Sequence, residues 1–149
     1  MTKLVILVAD QEHARLYRAG SLLETPREIV DFANTIGAYL DQEFTNRNPG
    51  QGRAPKGINP HMTGSEQAIG QHNIDMFAKL VATELESALQ NAKQTQLYII
   101  ASPKFLGALR SKLSENVQKY VAGELSKDIT DIPATELNRY VREMSSTHA

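Results

Sequence analysis

The run Leu4-Val5-Ile6-Leu7-Val8-Ala9 constrains the fold more than any other stretch of this chain. It is too short for an ordinary helix, has no polar alternation and is rich in β-branched residues. Such a run fits a central strand buried on both faces. Leu97-Tyr98-Ile99-Ile100-Ala101 is nearly as apolar and predicts a second strand of the same kind.

Between these two runs the pattern changes several times. Asp10-Gln11-Glu12 reads as a turn, and Ala14–Ala19 alternates small or apolar residues with basic ones, as a half-exposed strand does. Gly20-Ser21 breaks that strand, and Glu28-Ile29-Val30-Asp31-Phe32 predicts the next. Three strands joined by short turns imply an antiparallel meander. Ile74, Phe77, Val81, Leu85 and Ala88 then recur at helical steps, a stripe that ends near Ala92. Thr63 stands three residues before Glu66, the spacing of a capping box.

Beyond the Leu97–Ala101 strand, Ser102-Pro103 reads as an N-cap with proline at the first helical position. The helix that follows carries Phe105, Leu106, Leu109 and Leu113 as core, with a bend or restart over 111–114. Gly107 costs that helix about 1 kcal/mol relative to alanine, which close packing against a neighbour would explain. Tyr120 to Leu125 predicts a short fifth strand, although Gly123 weakens it. Ile132-Pro133 opens a last helix with Leu137, Tyr140, Val141 and Met144 as its buried stripe, and the tail from Ser145 is expected to fray. Mixed strands first and α/β alternation later predict a three-layer single domain around a mixed five-stranded sheet, in the element order of ribonuclease H-like folds.

Residues 44–64 depart from all of this. Across 41–64 glycine occurs at 50, 52, 57 and 64, proline at 49, 55 and 60, and apolar residues are scarce, which predicts a mobile loop. From Phe44 to Gly64 the charged residues are Arg47, Arg53 and Lys56 with no acid, against a net charge of −1 for the whole chain. Arginine forks pair with phosphate oxygens, and the glycines allow close backbone approach, so Arg47, Arg53, Lys56 and His61 form a candidate anion- or RNA-binding set. A solvated loop with no ligand is the competing explanation for the same residues.

Three segments together resemble the bacterial host-attachment protein family. They are Val8-Ala9-Asp10 followed by Ala14-Arg15-Leu16-Tyr17, the segment Ala101–Arg110, and Lys127-Asp128-Ile129-Thr130 leading into Ile132-Pro133 and Glu136-Leu137. The resemblance covers nearly the whole chain, and Pro103–Arg110 is its most specific part. It implies a fold like the middle domain of archaeal and eukaryotic release factors. It also implies a link to attachment to host cells or to the ribosome. The family's central loop is often richer in arginine and aspartate, and only Arg47 and Arg53 match it here. The glycine-glycine-glutamine tripeptide of release factors is absent, since Gln51 lies between Gly50 and Gly52.

Other chemistry is narrowed by composition. Cysteine is absent, which excludes disulfides, thiolate ligands and a cysteine nucleophile. No apolar run reaches the roughly 20 residues of a membrane span, and Met1–Ala9 does not read as a secretory signal. A cytoplasmic protein without membrane insertion is therefore expected. His13, His61 and His72 lack the spacing of a helical zinc pair. Asp10 ends the most buried strand, where α/β sheets often present ligands. Two readings apply to it. Asp10 with Asp128 and Asp131, and with Asp75 as a further acid, could hold Mg²⁺ in a nuclease or phosphoesterase. Alternatively, Asp10 accepts hydrogen bonds from the turn that follows it. No cofactor is expected outside the Mg²⁺ reading. The expected partner is RNA or the ribosome, or else another protein, with the oligomeric state left open.

Overall fold

Leu4–Ala9 is the middle of the sheet, as a segment apolar on both faces requires. A computed structural model of the chain describes residues 2–35, 62–128 and 131–148, with the side chains of 62–69 and 146–148 left aside. The strands are β1 (Lys3–Ala9), β2 (His13–Ala19), β3 (Arg27–Ala33), β4 (Thr95–Ala101) and β5 (Val121–Ser126). The helices are α1 (Met62–Leu89), α2 (Pro103–Lys112), the single turn α3 (Glu115–Gln118) and α4 (Ala134–His148).

The strands form one open sheet in the order β3-β2-β1-β4-β5. β1, β2 and β3 pair antiparallel as a meander, while β4 and β5 continue the sheet in parallel from β1. Parallel neighbours need a crossover, which α1 provides between β3 and β4, and α2 with α3 between β4 and β5.

Strand alternation sorts β1 between two cores. Val5, Leu7 and Ala9 face one side with Phe77, Val81, Leu85, Phe105 and Leu109 of α1 and α2. Leu4, Ile6 and Val8 face the other side with Leu137, Tyr140, Val141 and Met144 of α4. The result is three layers, helices on both faces of a sheet. Each fully buried Leu, Ile or Val side chain contributes about 1.5–3 kcal/mol, so β1 is the strand on which both cores depend. The two edge pairings each carry an irregularity. Between β2 and β3 the register shifts at Leu16/Tyr17, and both Ile29 and Val30 pack against the α1 side.

Several expectations need correction. α1 begins at Met62, so the last part of the expected 44–64 loop is helical, and Thr63 lies inside the helix. Arg47, Arg53, Lys56 and His61, with the loop's remaining residues to 61, lie outside the described residues. The last helix continues to His148, and Ser145 Oγ lies 2.8 Å from the Tyr98 hydroxyl, so the start of the expected frayed tail is tied to the sheet. Gly107 is not a packing glycine: a Cβ added there would meet nothing within 4 Å. The tight site is Gly123, where the same Cβ would lie 3.0 Å from Met144 Cβ and 3.1 Å from Tyr98 Cδ1. By contrast the interruption after α2 falls as expected: α2 ends at Lys112, and Ser114 caps α3 by accepting from the Val117 amide at 3.2 Å.

Candidate functional site

Parallel strands gather their carboxyl ends at one edge, and the connections that leave those ends usually carry binding groups. β1, β4 and β5 end together here, since Ala9 aligns with Ala101 and Ala101 with Ser126. β3 ends at the same edge, because Ala33 pairs with His13 at the start of β2. α1 returns to it, with Asn73 bonded to Asn34 just past β3. Met62 precedes Asn73 by three turns of helix, so α1 projects past this edge by roughly 16 Å at 1.5 Å per residue. The described chain therefore has both residue 35 and the start of α1 on the side of the molecule that bears Asp10.

Asp10 itself is a turn residue. Its Oδ1 accepts from the backbone amides of Glu12 and His13, each at 2.8 Å, and its own amide donates to the His13 carbonyl at 2.9 Å. Three short hydrogen bonds close the β1–β2 turn and commit one carboxylate oxygen to it. Beside that turn lies a neutral polar network. Asn34 Nδ2 donates to the Gln11 carbonyl at 2.9 Å and to Asn73 Oδ1 at 2.7 Å, and the Asn34 amide donates to the Glu12 carbonyl at 2.7 Å. Ser102, only 2% exposed, donates from Oγ to Gln11 Oε1 at 3.0 Å. It occupies the N-cap position of α2 but makes no side-chain cap bond, contrary to the expectation from Ser-Pro. The β1–β2 turn is thus fastened to α1 and to the start of α2.

The other candidate acids lie apart from Asp10. Asp128 follows β5, two strand spacings from β1, or roughly 10 Å across the sheet. Asp131 is 93% exposed at its side chain, with Oδ1 3.7 Å from Arg15 Nη1. Asp75 accepts from Gln71 Nε2 at 3.1 Å along α1. Among the described residues no group of three or more His, Cys, Asp or Glu could hold a metal ion. These side chains therefore do not make a donor set that fits Mg²⁺. His13 and His72 are exposed.

Arg15 joins this edge to the α4 side. It lies 3.6 Å from Asp31 and 3.8 Å from Glu28, both on β3, as well as beside Asp131. Burial opposes its charge, but Asp31, Tyr17 and Glu28 hold its pKa above the ordinary guanidinium value. The neighbouring Tyr17 phenol is pushed above its usual pKa, chiefly by burial.

Chemically, the described edge offers hydrogen-bonding groups and little reactivity. The Ser102 hydroxyl rests on a neutral amide oxygen, which cannot take its proton as a general base would. Gln11, Asn34 and Asn73 carried no sequence signal, because their contacts join distant segments. If the turn is what Asp10 serves, Asp10→Ala should lower stability by about 1–2 kcal/mol. Asp10→Asn should cost less, because an amide oxygen still accepts. Urea denaturation checks both, with Mg²⁺ expected to leave each midpoint unchanged. A Mg²⁺-dependent rise present in the unaltered protein and lost in Asp10→Asn would transfer Asp10 to a metal site.

Comparison with known proteins places the chain in a family. It belongs to the family described as "Protein required for attachment to host cells", whose pattern matches residues 5–141. An uncharacterised protein of Rickettsia prowazekii (strain Madrid E) is 24% identical over 139 residues, covering 92% of this chain and 91% of that protein.

Proposed function

We propose that this member of the host-attachment family is a cytoplasmic binding or accessory protein that contacts RNA, the ribosome or a similar anionic partner. Arg47, Arg53, Lys56 and His61 supply the contacts. The observation that carries the reading is charge. The segment from Phe44 to Gly64 holds +3 and no acid in a chain whose net charge is −1. The described residues on its two sides support the same reading, since Asn34 is fastened to the turn at the carboxyl edge and Asn73 of α1 accepts from Asn34. A rigid edge on either side of a cationic segment suits binding more than turnover, and phosphate contacts of this kind give affinity without sequence specificity.

In this reading the fold is ribonuclease H-like and close to the middle domain of release factors. An antiparallel meander extended in parallel by β4 and β5 supports that relationship. Peptidyl-tRNA hydrolysis is not part of the proposal, because the tripeptide for it is absent from the sequence. The connection with host attachment is then indirect, through regulation inside the cell.

Co-sedimentation of the purified protein with ribosomes and with bulk RNA tests the proposal. If three cations each neutralise a phosphate, affinity should fall roughly 20–40-fold between 50 and 200 mM salt. The Arg53→Ala/Lys56→Ala variant should lose most of the binding at low salt. Binding that ignores salt, or that survives in the variant, would direct the search to a protein partner.

A further inference from the structure

At the opposite edge of the sheet, where β1, β3, β4 and β5 begin and β2 ends, α1 stops short. Its last residue is Leu89, and the chain passes through Asn91 (φ 61°) and Gln94 (φ 50°) before β4. Beyond the helix end lies a cavity of about 350 Å³, whose walls include Lys3, Arg18, Asn91, Lys93 and Thr95 and no Asp or Glu.

Strand parity explains why cations gather there. Lys3 alternates in phase with Val5 and Leu7, which face α1, and Arg18 stands opposite Val5 on β2. Arg27 is paired with Arg18 across β2 and β3. Like charges directly opposite each other in an antiparallel pair ordinarily weaken it. Among the described residues no salt bridge engages Lys3, Arg18, Arg27 or Lys93. One of the four has a structural use. Arg18 Nη2 donates to the Ala88 carbonyl at 3.0 Å, offsetting the negative end of α1. Neither that contact nor packing accounts for Lys3 and Lys93 in the wall of the same hollow.

We propose that this cavity binds a small polyphosphorylated ligand of nucleotide size. Lys3, Arg18 and Lys93 would hold the phosphates, and the apolar wall of Val5, Ala88 and Ala92 would receive the organic part. Cationic side chains with no competing carboxylate suit a multiply charged anion. The volume lies within the range of small-ligand pockets, about 300–1,000 Å³. A nucleic-acid strand fits less well, because strand-binding sites run as grooves along the backbone. The site shares no residue with the cationic segment 44–64, so the two proposals stand or fall separately.

Isothermal titration calorimetry of the full chain with ADP, and separately with inorganic tripolyphosphate, tests it at low salt. One equivalent of each should bind. The Lys3→Gln/Lys93→Gln variant should weaken both by at least about tenfold, the loss expected for charge-assisted contacts. Both lysines are exposed, so an unchanged thermal midpoint should accompany that loss. Arg53→Ala/Lys56→Ala should bind both ligands normally. Absence of binding at millimolar ligand would overturn the assignment, as would equal affinity in the Lys3→Gln/Lys93→Gln variant. So would a single-stranded RNA oligomer that needs Lys3 and Lys93 where ADP and tripolyphosphate do not bind.

Discussion

Phe77→Ala is expected to remove about 3–5 kcal/mol of stability, a large part of the roughly 5–15 kcal/mol that holds a domain of this size. Phe77 is 1% exposed at the centre of the α1-side core. Its ring meets Phe32 of β3 edge-on at 5.6 Å and Phe105 of α2 at 5.6 Å, tilted by 48°. Truncation therefore loses burial and two aromatic contacts, and it opens a void where three elements converge. The void cannot close easily, because the sheet fixes Phe32 and the start of α2 is set by the end of β4. Guanidinium denaturation should show a lower midpoint with little change in slope. Leu80→Ala on the same helix is the control. Leu80 is 50% exposed, so its loss should be small. Comparable losses in the two variants would mean that the aromatic cluster contributes no more than an exposed position on the same helix, since alanine favours the helix in both.

Gly123→Val should be nearly as damaging for the opposite reason. Here the space is already full: Met144 Cβ and the Tyr98 ring lie 3.0 and 3.1 Å from where a Cβ would stand. Tyr98 is further held by its hydroxyl, which donates to Gln96 Oε1 at 3.0 Å and meets Ser145 Oγ. Relief requires α4 to move off the sheet. Overpacking of this kind costs about 1–3 kcal/mol, and valine, with two further methyl groups, should fall at the upper end. In a domain of this length each kcal/mol lowers Tm by about 2–4 °C. Gly123→Ala should show a smaller loss of the same sign, and Met144→Gly, which removes the opposing Cβ itself, should partly rescue Gly123→Val in a double-mutant cycle. Failure of that rescue would separate the strand's own preferences from its contact with α4.

Much of the architecture was legible because single patterns imposed it. β1 and β4 are apolar on both faces, so a covered sheet was unavoidable, and the spacing of Ile74, Phe77, Val81 and Leu85 admitted only a helix with one buried side. Glycine was ambiguous. Gly107 and Gly123 both look like weak points in their elements, yet only Gly123 marks close approach, which depends on what α4 brings opposite it. Ser102 misled for a related reason. The Ser-Pro pair does place the N-cap, but the side chain turns to Gln11, a partner 91 positions away that no local rule identifies. At the candidate site the position of Asp10 was readable from the end of β1. That its carboxylate serves the turn was one of two readings, and the amides of Glu12 and His13 favour it. The cationic segment was legible as charge alone, and its charged residues lie outside the described ones.

The placing of β1 also sets a timetable for the nascent chain. β1 pairs with β2 within a few residues of its synthesis, but its other edge waits for β4. At 5–20 residues per second, the interval between Ala9 and Thr95 lasts roughly 4–17 s. Within that interval β3 and then α1 are made, so one face of β1 can be covered early, while its second edge waits for β4 and its other face for α4. An open strand edge is an efficient template for pairing with another emerging copy. The edge of β1 is closed only when β4 arrives.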